Sequence, residues 1–331
     1  MTTVSENRIR LALIGAGNHS RGNHAPAMAQ YAREHPDQVE LAAVCDLQRQ
    51  KAESFAKTFG FRAVYTDYLE MIQKERLDGC VCVMPIELTA SLAIDLMERN
   101  MPVTVEKPMG DSLKEIQEIV KTAEETGTPN MVSVNRRFDP LIRRGLQWSE
   151  AQGPLRYVRA SILRHNRREP TFVSGTAIHP IDALRSIGGE ITDYQAWVNE
   201  GEPHWLHIVF AYASKAIASL DVLPTDGSVE ERYEMFGDGF RVDVCAGTNP
   251  RPGLRCWKDN DLVVDERPPE EQPPFVSVGA YAELEEFATA LTEGRAPWPS
   301  VAEVYPSVEI AFKLDPGKPE SYRSFGKYLS L

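Results

Sequence analysis

The first 130 residues alternate short apolar runs with amphipathic stretches, and this alternation constrains the fold more than any other feature of the sequence. Strand-like runs occupy residues 9–14, 40–45, 63–65, 79–84 and 102–105, with helix-like stretches between them. Strands that alternate with helices are typical of a parallel, doubly wound sheet. The sequence therefore predicts an α/β domain over residues 1–130.

Beyond residue 130 the pattern changes, because strand-like runs follow one another with few helices between them. These runs lie at 156–164, 194–198, 206–212, 216–222, 232–236 and 240–244. Helices are expected at about 177–186 and 280–293. Such a pattern favours a largely antiparallel sheet, so residues 131–331 are predicted to form one α+β domain.

Composition excludes several classes of function. The formal net charge of -12 argues against nucleic acid or an anionic membrane as the main partner, because phosphate binding needs a basic surface. The polar start and the lack of a long apolar run predict a cytoplasmic protein without a membrane segment. The five cysteines include no CxxC pair, which predicts structural thiols and no zinc site.

A glycine motif follows the first predicted strand. The motif reads Gly15-x-Gly17-x-x-Ser20, with Asn18 and His19 in the intervening positions. The first glycine permits a tight turn, and the second lets a pyrophosphate approach the backbone at a helix N-terminus. Serine replaces the usual third glycine, which weakens the motif. The predicted strand before it and the predicted helix after it strengthen the prediction. The motif predicts a dinucleotide site.

Asp46, at the end of the second predicted strand, indicates which dinucleotide is bound. A carboxylate there accepts hydrogen bonds from the ribose hydroxyls of adenosine and repels a 2′-phosphate, which favours NAD over NADP. The nearby Arg49 keeps NADP use open. Asp46 is also a candidate cap for the following helix, and both roles can coexist.

Glu106-Lys107-Pro108 follows the fifth predicted strand. Ligands of doubly wound sheets bind beyond the carboxyl ends of the strands, where a lysine can hydrogen-bond a substrate oxygen. Taken alone, a Glu-Lys pair is more often a solvated surface pair.

Together with the glycines, Asp46 and the later His179, this tripeptide resembles the Gfo/Idh/MocA family of NAD(P)-dependent oxidoreductases, and the resemblance covers nearly the whole chain. It implies a Rossmann domain followed by a domain with a large open sheet, and hydride transfer between nicotinamide and a hydroxyl-bearing carbon of a sugar or cyclitol. It also implies that Lys107 and His179 are catalytic. The predicted cofactor contacts are Gly15, Gly17, Asn18, His19, Ser20, Asp46, Pro85, Glu106 and Lys107.

The chain departs from the family pattern at two places. The family often has an aspartate four residues before the histidine, where this chain has Gly175. The family segment Pro-Asn-x-x-His after the fourth strand keeps only Pro85 here. Glu87 is a candidate replacement contact, although a solvated glutamate at a helix start is the more ordinary interpretation.

Substrate contacts are predicted from charge and from the resemblance. The candidates are Arg137, Arg164, His165, Arg168 and Asp182. A basic cluster on an acidic protein could steer an anionic sugar, and a merely charged loop is the alternative. Two other functions stay open, a redox-neutral NAD-dependent glycosidase or lyase and a non-catalytic NAD-sensing regulator. The open sheet predicts a homodimer or homotetramer.

Overall fold

The computed structural model describes residues 8–199, 201–247, 249, 251–318 and 329–330. The chain forms two compact units. The first contains residues up to Val134 together with Ala280–Tyr305, and the second contains Asn135–Gly279 and the residues from Pro306 onward. Among the described residues, no helix combines the length and the apolar character that a membrane crossing requires.

The first unit is built on a parallel sheet of six strands. The strands are β1 (Ile9–Ile14), β2 (Val39–Cys45), β3 (Ala63–Tyr65), β4 (Gly79–Cys82), β5 (Val103–Glu106) and β6 (Asn130–Ser133). Their order is β3-β2-β1-β4-β5-β6, and every neighbouring pair is parallel. The strand order reverses between β1 and β4, and such switch points are where doubly wound sheets bind their ligands. The predicted doubly wound sheet is confirmed.

Helices connect these strands, and a helix from late in the sequence joins them. The helices are α1 (Ala25–Glu34), α2 (Arg49–Phe59), α3 (Tyr68–Lys74), α4 (Ile86–Glu98), α5 (Leu113–Thr126) and, much later, α9 (Ala280–Glu293). A π-helical turn over Ser20–His24, here called the first π-turn, precedes α1. Helix α9 packs against α1, and its Phe287 and Leu291 lie where any side chain at Gly79 would stand.

The boundary between the units differs from the sequence-based division at residue 130. The first unit continues to Val134 and regains residues 280–305, so the second unit is not one continuous segment. The amphipathic pattern of 280–293 predicts a helix there, but it carries no information on which sheet the helix covers.

The second unit is built on a nine-stranded, mostly antiparallel sheet, as predicted. Its strands are β7 (Leu155–Leu163), β8 (Ile191–Val198), β9 (Leu206–Tyr212), β10 (Ile217–Leu223), β11 (Glu230–Gly237), β12 (Phe240–Cys245), β13 (Gly253–Lys258), β14 (Asp261–Glu266) and β15 (Leu329–Ser330). Their order is β14-β13-β12-β11-β7-β10-β9-β8-β15. The parallel pair is β7 with β10, in which Ile217 lies opposite Tyr157.

Helices cover one face of this sheet. They are α6 (Pro140–Glu150) and α7 (Ile178–Gly188), accompanied by a short α8 (Pro274–Ser277), while α10 (Val301–Leu314) has its residues from Pro306 onward in this unit. Helix α6 packs on β12 so closely that a side chain at Gly145 would meet Val242 and Val244. Because strand side chains alternate between faces, Arg241 and Asp243 of β12 lie on the opposite face.

Candidate active site

The predicted dinucleotide motif forms the turn between β1 and the first π-turn. Gly15 has φ +98°, and a side chain there would collide with the carbonyl oxygen of Val83, so the turn requires glycine. Gly17 is exposed, and nothing lies within 4 Å of the position that its Cβ would take. This open space above the backbone is the cradle that a pyrophosphate needs, so the residues present fit a dinucleotide.

Ser20, which replaces the third glycine, forms a buried hydrogen bond within the glycine loop. The Ser20 hydroxyl donates to the carbonyl oxygen of Gly15 at 2.5 Å, and Ser20 is fully buried. Asn18 and His19, between the two glycines and this serine, are exposed and begin the helical turn. The hydrogen bond ties the two ends of the loop together.

Asp46 lies directly after β2 and fixes the same loop. Its Oδ2 accepts the backbone N–H of Ala16 at 2.9 Å, and its Oδ1 accepts the N–H of Gln48 at 2.8 Å. The helix itself begins at Arg49 and its N-cap residue is Gln48, so the predicted capping of this helix by Asp46 is wrong. The bond to Ala16 orients the carboxylate beside the glycine turn. Arg49 lies within 3.8 Å of Glu53.

Glu106, the last residue of β5, joins two histidines. Its Oε1 lies 2.6 Å from His24 Nε2 and 3.0 Å from His19 Nε2, and its Oε2 accepts the backbone N–H of Lys107 at 3.1 Å. Burial would raise the pKa of this carboxyl group, but the hydrogen bonds from both histidines hold it well below its usual range. We call these three side chains the His-Glu-His cluster.

The His-Glu-His cluster has the composition of a metal site, but direct hydrogen bonds account for its geometry. All three ligand atoms lie within 4.8 Å of one another. Nitrogen and oxygen ligands of a tetrahedral zinc ion would lie roughly 3.3 Å apart, given metal–ligand distances of about 2.0–2.1 Å. The 2.6 Å contact of His24 with Glu106 is instead that of a charge-assisted hydrogen bond.

The other predicted residues of the first unit lie at the carboxyl ends of β4 and β5. Lys107 is partly exposed and immediately follows β5. Pro85 is the residue before α4, and its carbonyl oxygen accepts the hydroxyl of Thr89. Glu87 is exposed in the first turn of α4, the position expected of a solvated helix-start glutamate.

His179 lies in the second unit, on the first turn of α7. A second π-turn, Val173–Ala177, leads into this helix. The histidine is half-buried, and its Nδ1 is buried. Gly175, where the family often has aspartate, lies within the second π-turn, and nothing lies within 4 Å of a Cβ built there. The position therefore has room for a carboxylate that the sequence does not supply.

Asp182 and Arg137, both predicted to contact substrate, are instead paired with each other. Two arginine nitrogens donate to the two carboxylate oxygens at 2.8 Å, and each side chain is 1% exposed. Ser307 also donates to Asp182 Oδ1 at 2.8 Å. The prediction is corrected here, because side chains this buried and paired anchor α7 and are closed to a substrate.

Arg164 is likewise committed to an internal network. It donates to Glu231 Oε2 at 2.6 Å, and Arg136 donates to both oxygens of the same carboxylate at 2.6 and 3.0 Å. Burial would raise the pKa of Glu231, but Arg136, Arg164 and the charge of His179 hold it well below its usual range. Arg164 is therefore a partner of Glu231 more than a substrate ligand.

His165 and Arg168 remain the exposed members of the predicted basic cluster. His165 Nδ1 lies 3.2 Å from the carbonyl oxygen of Asp226, and Arg168 donates to Asn166 at 3.3 Å. Arg168 also lines a cavity of about 240 Å³ in the second unit.

Sequence reasoning did not single out His24, Arg136 or Glu231. His24 is separated from His19 by five positions, which an α-helix would place on different faces, so no helical pattern points to it.

The glycine turn, Asp46 and Lys107 lie in the part of the chain that a known family model matches. A family model described as "Oxidoreductase family, NAD-binding Rossmann fold" (GFO_IDH_MocA) matches residues 9–135. The chain is 29% identical over 327 residues to 4-carboxy-2-hydroxymuconate-6-semialdehyde dehydrogenase of a Sphingobium strain, covering 93% of this chain and 98% of that protein. It is 27% identical over 203 residues to D-apiose dehydrogenase of Paraburkholderia graminis, a match that covers 58% of this chain and about half, 52%, of that protein.

A solved structure extends the likeness to the fold of both units. The crystal structure of a dehydrogenase from Chromobacterium violaceum superimposes with a TM-score of 0.83 at 19% identity, covering 94% of this chain and 96% of that one. The family model matches the first unit, which holds the glycine turn. The Sphingobium relative and the Chromobacterium structure are similar to the second unit as well. Residues 9–135 therefore match the NAD-binding Rossmann domain of the Gfo/Idh/MocA oxidoreductases, and the full-length dehydrogenase relative and the solved structure resemble nearly the whole chain.

Proposed function

We propose that this protein transfers a hydride between NAD(H) and a secondary hydroxyl or ketone of a sugar, a sugar derivative or a cyclitol. The observation that carries the proposal is the glycine turn with its open cradle at Gly17, beside Asp46, in a chain that keeps Lys107 at the end of β5. One relative is named as acting on D-apiose, a sugar, and another on a semialdehyde. Both names fit chemistry at an oxygen-bearing carbon.

Two side chains are assigned the proton chemistry. Bound NAD supplies or accepts the hydride at its nicotinamide ring. Lys107 donates a hydrogen bond to the reacting oxygen and stabilises the alkoxide that develops there. His179 takes up or returns the hydroxyl proton at Nε2, because its Nδ1 is buried. Glu106 holds the backbone N–H of Lys107 and so positions that residue.

NAD is the proposed cofactor in preference to NADP. The Asp46 carboxylate is held beside the glycine turn by the N–H groups of Ala16 and Gln48. A carboxylate fixed there accepts the ribose hydroxyls and repels a 2′-phosphate. Arg49, the cation that could offset this repulsion, is near Glu53.

Substrate charge is assigned to the exposed basic residues only. His165 and Arg168 are exposed, whereas Arg164 is bound to Glu231 and Arg137 to Asp182. Arg168, the permanently charged residue of the exposed pair, supports a neutral or singly anionic carbohydrate better than a multiply charged one.

We also propose that the protein is a homodimer or homotetramer in solution. The sheet face opposite α6 carries aromatic and charged side chains, among them Trp257 with Arg241 and Arg255 beside its ring. Aromatic residues and arginines are enriched in protein interfaces.

The test is an absorbance assay for NADH with NAD and a panel of sugars, sugar acids, sugar phosphates and inositols. Wild-type protein should reduce NAD with at least one member of the panel. Lys107→Ala and His179→Ala should each lower kcat/KM by about 10²-fold or more. Lys121→Ala, which removes an exposed lysine on α5, should leave turnover unchanged.

Three outcomes would contradict this function. Unchanged turnover in Lys107→Ala or His179→Ala would remove the assigned chemistry. Bond cleavage of a panel member without net NADH would favour the redox-neutral glycosidase or lyase. NAD binding with no turnover of any panel member, together with NAD-dependent capture of a partner protein, would favour the regulator.

A further inference from the structure

The first π-turn brings two histidines to one carboxylate. Successive residues of an α-helix are rotated by about 100°, so residues five apart point in different directions. A π-turn closes i→i+5 hydrogen bonds, here from the N–H of Ala25 to the carbonyl oxygen of Ser20, so its wider turn brings residues five apart closer to one face. The turn spans Ser20–His24 and follows His19, and both imidazole Nε2 atoms reach Glu106 Oε1.

The members of the His-Glu-His cluster differ in exposure. The side chains of His24 and Glu106 are 9% and 10% exposed, whereas His19 is 54% exposed. His24 is thus the internal partner of the carboxylate. His19 stands at the surface of the loop, two residues after Gly17 and its open cradle. Among the three, His19 is the member that a bound dinucleotide can reach.

We propose that His19 is a pH-dependent ligand for the pyrophosphate of the bound dinucleotide. The protonated imidazole donates to Glu106 from Nε2 and to a phosphate oxygen from Nδ1. A neutral imidazole has one N–H, so it cannot donate at both nitrogens. The inference rests on the proposed function only in requiring that NAD binds this loop.

The surrounding charges give the effect its direction. With His19 neutral, the Glu106 carboxylate stands beside the doubly negative pyrophosphate and opposes binding. With His19 protonated, that charge is neutralised. The positive charge of Lys107 is present in both states, so the difference in affinity comes from His19. The hydrogen bond to Glu106 raises the pKa of His19, burial lowers it, the Glu106 charge raises it and the Lys107 charge lowers it, with a net rise.

The remaining groups around the first π-turn complete this environment. The amide nitrogen of Asn23 lies 3.3 Å from His19 Nδ1, so a phosphate oxygen that accepts from Nδ1 replaces this contact. The ring of His24 packs edge-on at 5.5 Å. Helix α9 packs on the turn and carries Glu283 in its first turn, and α1 has no acidic residue in its first turn.

The experiment measures the Kd of NAD from pH 6 to pH 9 at constant ionic strength. Wild-type affinity should be highest at the acid end and should weaken as the pH rises through the pKa of His19. The total loss is about tenfold for each unit by which NAD raises that pKa. Adenosine, which has no phosphate, should bind with a Kd that does not change over this range.

Three variants separate a titrating ligand from a structural side chain. His19→Gln should bind NAD more weakly at pH 6 and with little dependence on pH. His19→Lys, which stays charged throughout, should bind tightly and with little dependence on pH up to 9. His35→Gln, at the other end of α1, should keep the wild-type pH dependence.

A wild-type pH dependence retained in both His19→Gln and His19→Lys would overturn the inference and leave the oxidoreductase function standing. Failure of the wild-type protein to bind NAD at any pH would overturn both. A pH dependence lost in both His19 variants and kept in His35→Gln would support the inference.

Discussion

At the scale of single residues, the second unit is organised around buried ion pairs. The side chain of Glu231 is 0% exposed. Its carboxylate accepts hydrogen bonds from Arg136, Arg164 and the hydroxyl of Tyr233. A buried carboxylate is tolerated only when its partners replace the lost hydration, and removing one partner leaves a buried charge uncompensated. This network lies close enough to His179 for the two charges to interact.

The first prediction is a large loss of stability in Glu231→Gln. The change leaves the Arg136 guanidinium, 5% exposed, without a counter-ion, and we expect the free energy of unfolding to fall by about 3–5 kcal/mol. Urea unfolding followed by circular dichroism measures it. Glu230→Gln, next to it but 36% exposed, should change the free energy by less than about 1 kcal/mol. Equal effects of the two changes would contradict the assignment.

The second prediction concerns acid stability. The pKa of Glu231 lies well below its unfolded value of 4.5, so its contribution to stability is fully present above pH 4.5 and is lost as the pH falls toward the folded pKa. The lost share is at most about 1.4 kcal/mol per pH unit. Urea unfolding at pH 6, 5, 4 and 3.5 should show the difference between wild type and Glu231→Gln shrinking below pH 4.5. A constant difference would contradict the depressed pKa.

The third prediction addresses Gly175, where the Gfo/Idh/MocA pattern often has aspartate. The open space at Gly175 predicts that Gly175→Asp folds normally. A carboxylate near His179 should raise the pKa of this histidine, so the rise of kcat/KM with pH should move to higher pH in the oxidation direction. Gly175→Asn has nearly the same shape without the charge and should leave the profile unmoved. An identical profile in the aspartate and asparagine variants would show that the position does not act on His179.

At the scale of elements, two π-turns lie beside the histidines of the candidate site: the first follows His19 and ends at His24, and the second precedes α7, which carries His179. The first π-turn leads into α1 and the second into α7, and π-turns are frequent at functional sites. Apolar periodicity predicts β1, β3 and α9 with the bounds that the structure has. It cannot predict a π-turn, because one extra residue in a helical turn leaves no mark on a short polar segment. For that reason the partnership of His19 and His24 on Glu106 emerges only from the fold.

The fourth prediction separates the two glycines of the loop between β1 and α1. Gly15→Ala forces a side chain against the carbonyl of Val83 at φ +98°, so the protein should be strongly destabilised or fail to fold. Gly17→Ala meets nothing within 4 Å and should melt within a few degrees of wild type. Its methyl group would occupy the cradle, so NAD should bind about tenfold or more weakly. Thermal unfolding and NAD titration test both, and normal NAD binding by Gly17→Ala would contradict the placement of the pyrophosphate.

At the scale of the whole molecule, two further features lie outside what the sequence predicts. Residues 280–305 belong to the first unit, where Phe287 and Leu291 pack against Gly79. This packing depends on the complementary shapes of the side chains, which the apolar pattern does not encode. The pairing of Arg137 with Asp182 and of Arg164 with Glu231 is equally hidden, because charge alone does not tell a buried pair from a ligand-binding cation. Residue type identified the candidate substrate ligands. Their burial in the structure separated the paired residues from the exposed ones.

The fifth prediction concerns assembly through the sheet face opposite α6. Besides the Trp257 cluster, this face carries Asp243 and Glu234, which are 2% and 3% exposed and bind surrounding arginines. A face of paired charges around an aromatic centre can meet its own copy across a twofold axis. Light scattering at micromolar concentration should give two or four times the chain mass of 37.0 kDa.

Trp257→Asp should weaken this assembly, because a buried interface tryptophan often contributes about 2 kcal/mol or more, and the dissociation constant would then rise more than tenfold. Trp298→Asp, which changes an exposed tryptophan of the first unit, should leave the mass unchanged. A monomeric mass for the wild-type protein would refute the proposed oligomer. An unaltered mass in Trp257→Asp down to nanomolar concentration would place the interface on another surface.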